Sequence, residues 1–139
     1  VGQGLVKHPM VKAAGFTGSQ KAGRILYDLA SQRKEPIPFF AEMGSVNPVM
    51  IFPSSLNSET AGILAGSITM GVGQFCTNPG IIISIESDEM SEFISQLGHD
   101  LAQVNSDTML TEQISKVYNQ EVESLLSDNK IKLEARANN

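Results

Sequence analysis

Short β-branched or aromatic runs alternate along this chain with longer segments whose apolar residues recur at helical spacing. That alternation constrains the fold more than any other feature. Strands are expected over residues 11–17, 37–43, 49–52 and 80–85, and an alternating run at 130–135 reads as a closing strand. Between the first two, Ser19 is placed to cap a helix whose stripe is Ala22, Ile25, Leu26, Leu29 and Ala30. Pro36 and Pro38 end that helix, because a proline inside it would remove a hydrogen bond and clash with the preceding turn. A second helix is expected from Asn57 or Ser58, with Ala61, Leu64, Ala65, Ile68 and Val72 on one face. Its Gly62, Gly66 and Gly71 suggest close packing against another backbone. The run 80–85 is β-branched enough to be buried on both faces. Ser87-Asp88 caps a helix carrying Phe93, Ile94, Leu97, Leu101 and Val104. Thr111-Glu112 opens another carrying Ile114, Val117, Tyr118, Val122 and Leu125. The order strand, helix, strand, strand, helix, strand, helix, helix, strand implies an α/β fold with a mostly parallel sheet.

Composition excludes several classes. With 139 residues, 41% hydrophobic and 18% charged, the chain is about one globular domain in size and large enough to bury a core. The net charge is −5, there is no basic stripe, and the 6 Phe stand apart from Lys and Arg, which argues against nucleic-acid binding. Apolar stretches are short and broken, far from the roughly 20 residues of a membrane helix, so no membrane partner is expected. Residues 1–10 lack the apolar core of a signal peptide, and one cysteine cannot form an internal disulfide, so a cytoplasmic setting is expected. The chain opens on Val1 and closes on a polar run, as part of a longer polypeptide would.

Three places could carry chemistry. Cys76 lies between a glycine-rich helix end and the strand at 80–85, a junction where a reactive group can be held. Its thiolate form would be the nucleophile, and an ordinary thiol ionises at a pKa of about 8.5. A small buried hydrophobe is the alternative. Glu42 follows Pro38-Phe39-Phe40-Ala41, an apolar setting that would raise a carboxylate's pKa and suit a general base. A solvent-facing glutamate at a strand end is the alternative, and the commoner case for such a position. Thr17, Gly18 and Ser19, with Gly23 beyond, form a strand-to-helix turn able to hold an anion at the positive end of the helix dipole. The spacing is not that of the dinucleotide glycine fingerprint, so a simple capped turn remains open. His8 and His99 have no partners at metal-ligand spacing, and no metal is expected. The acidic run Glu86, Asp88, Glu89 and Glu92 is placed to favour the dipole of the helix it opens.

Taken together, three segments resemble the aldehyde dehydrogenase superfamily. Phe16-Thr17-Gly18-Ser19, with Gly23, is similar to the family's cofactor-side turn. Glu42-Met43-Gly44-Ser45-Val46-Asn47-Pro48 is similar to its glutamate motif, and Gly73-Gln74-Phe75-Cys76 to its cysteine motif. Cys76 follows Glu42 by 34 positions (76 − 42), the family's usual spacing. Gly44-Ser45-Val46 departs from the commoner Gly-Gly-Lys. With Pro36-Ile37-Pro38-Phe39-Phe40, Thr77-Asn78-Pro79-Gly80 and Thr108-Met109-Leu110-Thr111, it resembles the branch that oxidises 2-oxoglutarate semialdehyde (2,5-dioxovalerate).

The resemblance implies a fold and a reaction. Residues 1–41 would end a Rossmann-type dinucleotide-binding domain, and 42–139 would begin the α/β catalytic domain. Cys76 would attack the aldehyde and Glu42 would activate the water that hydrolyses the resulting thioester. Thr17, Gly18, Ser19 and Gly23 would lie on NAD or NADP, with Phe75 and Asn78 beside the substrate. The full-length enzyme would be a homo-oligomer. The other reading is an inert fragment that keeps the fold without turnover.

Overall fold

The computed structural model describes residues 1–136; residues 137–139, the last of the expected second domain, lie outside the described residues. The chain divides into two compact units, Val1–Ser45 and Val46–Asn139.

The first unit is a strand–helix–strand element preceded by a short helix. Helix α1 (Gly2–Lys7) leads to strand β1 (Ala14–Gly18), helix α2 (Gln20–Ser31) and strand β2 (Phe39–Met43). β1 and β2 pair in parallel, with Ala14 opposite Phe39 and Thr17 opposite Glu42. Ser19 caps α2 as expected, its hydroxyl accepting from the Ala22 N–H at 3.3 Å. Strand alternation turns Phe39, Ala41 and Met43 to the half-buried face and leaves Phe40 and Glu42 exposed. Phe39 stacks on Phe16 at 6.4 Å and meets Tyr27 edge-on at 6.3 Å. Gly23 is buried in α2, where an added Cβ would run into the Met43 thioether. Its bareness lets the helix approach the sheet. The Arg33 guanidinium holds the start of the chain by donating to the Val6 carbonyl (3.0 Å) and the Val11 carbonyl (2.9 Å).

The second unit has strands β3 (Pro48–Met50) and β4 (Ile81–Ile83), again parallel, and helices α3 (Ser58–Thr69), α4 (Asp88–Ala102) and α5 (Glu112–Leu126). α3 packs on α4 around Ile51, Ala61, Leu64, Ala65, Phe93 and Leu97. Burying side chains such as Phe93 and Leu97 contributes about 1.5–3 kcal/mol each. Asn57, Ser87 and Thr111 cap the three helices by accepting from Thr60, Met90 and Ile114 N–H groups.

Several expectations are corrected. The first strand begins at Ala14 and the third ends at Met50, both shorter than expected. Ala22 and Ile25 are exposed, so the α2 stripe is narrower than its spacing implied. β4 is not buried on both faces: Ile81 and Ile83 are 48% and 46% exposed, because only β3 pairs with it among the described residues. Gly62 and Gly66 meet no backbone; both are exposed, and a Cβ at Gly66 would touch nothing within 4 Å. Val72 and Val104 lie beyond the ends of α3 and α4. Residues 130–135 form no strand, since alternation supplies side chains for a sheet face but no neighbouring backbone to pair with. Helix α1 was not expected.

Candidate active site

In the first unit, the parallel register sets Glu42 beside Thr17 at the carboxyl ends of β2 and β1. Ligands of open α/β sheets bind outside that edge. Thr17, Gly18 and Ser19 are exposed there, directly before the first turn of a 12-residue helix. Free first-turn N–H groups and the helix dipole suit an anionic group. Gly18 has no room for a side chain, because a Cβ would stand 2.7 Å from the Phe16 ring. Gly23, by contrast, is buried in α2 and contributes packing. Glu42 is exposed, not enclosed by the apolar residues that precede it in sequence. The sequence neighbours misled because Phe39 and Ala41 turn to the opposite face of the strand from Glu42.

In the second unit, Cys76 is exposed in the turn that follows α3, so the buried-hydrophobe alternative does not hold. The chain reaches it through a left-handed run: Gly71 (φ 59°), Val72 (φ 59°) and Gly73 (φ 69°). Glycine adopts that region readily, but a β-branched valine there is a true outlier, the kind of strain that persists only where surrounding structure enforces it. Here the enforcement is a set of side-chain amides. Asn78 donates to the Ile68 and Gly73 carbonyls, each at 2.8 Å. Gln74 donates to the Gly71 carbonyl at 3.0 Å and accepts from the Leu110 N–H at 3.0 Å. Asn47 donates to the Cys76 carbonyl at 2.6 Å and the Asn78 carbonyl at 3.0 Å. The Gly80 N–H donates to the Val46 carbonyl at 2.7 Å.

Phe75, expected at the substrate, is 55% exposed, and its ring fills the space beside Gly71. Asn78 is half-buried, with its amide nitrogen engaged by the turn. Asn47 and Gln74 had no role assigned from sequence. The available signal for Asn47 was an asparagine shortly after Gly44 and directly before Pro48, a residue type that tolerates the left-handed region, and its φ is 47°. Among the described residues no cluster of His, Cys, Asp and Glu could hold a metal ion, and no helix is long and apolar enough to cross a membrane.

Comparison with known proteins places this arrangement in context. A family model described as the aldehyde dehydrogenase family matches residues 1–133. Alpha-ketoglutaric semialdehyde dehydrogenase of Acinetobacter baylyi is 44% identical over 131 residues, which is 92% of this chain and 25% of the relative. Alpha-ketoglutaric semialdehyde dehydrogenase 2 of Azospirillum brasilense is 43% identical over 121 residues, 85% of this chain and 23% of the relative. The chain thus spans about a quarter of the length of these relatives. Among solved structures, gamma-glutamyl-gamma-aminobutyraldehyde dehydrogenase from Burkholderia cenocepacia superposes with a TM-score of 0.78 at 22% identity, covering 99% of this chain and 30% of that one. At that identity the likeness speaks for the fold alone.

Proposed function

Because the chain belongs to the aldehyde dehydrogenase family, we propose that the intact polypeptide carrying it oxidises an aldehyde to a carboxylic acid through a thioester on Cys76. The observation that carries this reading is an exposed thiol on a strained turn held by three side-chain amides. A turn built only to reverse the chain needs neither the valine at positive φ nor those clamps.

Cys76 Sγ attacks the aldehyde carbon; the C–S bond forms and the carbonyl π pair moves to oxygen. The Cys76 backbone N–H would stabilise that oxyanion, a kind of interaction strengthened where charge develops. An oxidised nicotinamide dinucleotide, when bound, supplies the hydride acceptor. Thr17, Gly18 and Ser19 would hold its phosphates at the start of α2. Loss of the hydride leaves the acyl group on Sγ as a thioester. Glu42 takes a proton from water, the water oxygen attacks the acyl carbon, and the C–S bond breaks to release the acid and the Cys76 thiolate. Phe75, exposed beside the thiol in sequence, would line the substrate. Asn78 would act beside it through the turn it clamps.

The substrate we infer is 2-oxoglutarate semialdehyde, supported by the names of the two relatives above 40% identity and by the Gly44-Ser45-Val46 variant of the glutamate motif. The setting would be cytoplasmic, the intact enzyme a homo-oligomer, and residues 1–41 and 42–139 the end of a dinucleotide domain and the start of a catalytic one. A second reading is favoured by α5, which buries no residue: the 139 residues alone hold the fold without turnover. Steady-state NAD(P)H formation by the intact polypeptide and by the 139-residue chain tests both. Cys76→Ser in the intact polypeptide is expected to lower the rate by about 10³-fold or more. Full activity in that variant would overturn the reading.

A further inference from the structure

The Asn47 amide joins the segment that enters β3 to the cysteine turn. It donates to two carbonyls at once, those of Cys76 (2.6 Å) and Asn78 (3.0 Å). The neighbouring Val46 carbonyl accepts from the Gly80 N–H at 2.7 Å, and Pro48 then enters the β3–β4 ladder opposite Ile81. The turn is therefore gripped on both sides of Cys76. Asn78 ties it to the end of α3 through the Ile68 carbonyl, and Asn47, directly before β3, holds the Cys76 and Asn78 carbonyls. Asn47 makes both bonds from a left-handed backbone (φ 47°), a conformation asparagine tolerates.

We propose that Asn47 is a positioning residue for the Cys76 nucleophile, fixing the carbonyl of the cysteine and hence the peptide that follows it. The inference rests on the proposed thioester chemistry for its kinetic consequence, but the clamp stands on geometry alone. The Asn47 amide holds the peptide that follows Cys76 at 2.6 Å and the Asn78 carbonyl at 3.0 Å, so the backbone leaving Cys76 keeps one course and narrows the directions in which Sγ can face an incoming carbonyl carbon. Misplacing a nucleophile by about 1 Å can cost 10²-fold in rate.

Two substitutions separate the amide from the backbone it sits on. Asn47→Gly tolerates positive φ and removes the donor; Asn47→Asp keeps the shape and turns a carboxylate toward two carbonyl oxygens. In the intact polypeptide, both are expected to lower kcat by about 10–100-fold with KM changed less than about 3-fold. Hydrogen exchange at the Asn78 and Gly80 amides, which donate to Phe75 and Val46 carbonyls, should quicken by about 10-fold or more as the turn loosens. Wild-type kcat in the glycine variant would overturn the proposal. So would a fall in kcat with unchanged exchange, or a rise in KM at constant kcat, which would make Asn47 a substrate-binding group. Where the glycine variant fails to fold, the aspartate variant decides by the same readouts. Activity surviving in Cys76→Ser would remove the thioester chemistry, and exchange would still judge the clamp.

Discussion

At the scale of single residues, polar side chains here do local work that their neighbours in sequence do not announce. Glu42 was legible as a candidate because a carboxylate stood among phenylalanines, yet its exposure follows from strand geometry, which separates adjacent side chains onto opposite faces. Asn47 and Gln74 were not legible, because an amide's role depends on which carbonyls the fold brings to it. The acidic helix start was read correctly. The Glu89 carboxyl is held below the ordinary value of 4.5 by its own backbone N–H and then by the Ser87 hydroxyl, against a small opposing effect of burial. A group whose folded pKa is lowered adds stability above the unfolded value, and that contribution is lost as pH falls through the lowered one. Glu89→Gln should therefore lower Tm above about pH 4.5, with the gap to wild type closing on acidification. A gap constant with pH would contradict this.

At the scale of elements, caps and periodicity carried most of the information. Ser19, Asn57, Ser87 and Thr111 each begin a helix as expected, since a side-chain oxygen accepting from the first turn is a purely local arrangement. Strand burial and the 130–135 run were misread because they depend on partners, which no local pattern contains. The glycines show the same divide. Gly73 is required: its φ is +69°, and a Cβ would stand 3.2 Å from Asn78 Nδ2 and 3.4 Å from the Ile68 carbonyl. Gly66 is not required, with open space where a Cβ would go. Gly73→Ala should destabilise the intact polypeptide by about 1–2 kcal/mol, and Gly66→Ala should stabilise it by about 0.5–1 kcal/mol through helix propensity. Urea unfolding midpoints at unchanged slope measure both. Equal effects of the two substitutions would show that the cysteine turn is not held as described.

At the scale of the whole molecule, the α/β class and the parallel pairing in both units were readable from the alternation of elements. The family was readable from three ordered motifs, and the match over residues 1–133 agrees. What motifs alone could not give is how the cysteine turn is kept in a conformation its valine disfavours. On the proposed reading, an acyl group passes through Cys76 and leaves by a water that Glu42 activates. That reading's most direct test is intact-mass and peptide-mapping analysis of the Glu42→Gln polypeptide quenched in acid during turnover with NAD(P) and 2-oxoglutarate semialdehyde. Removing a general base slows its step by about 10²–10⁴-fold, so an adduct of the acyl mass should accumulate on the Cys76 peptide and be absent without oxidised cofactor. Continued turnover with no adduct on Cys76, or an adduct on another residue, would contradict the account.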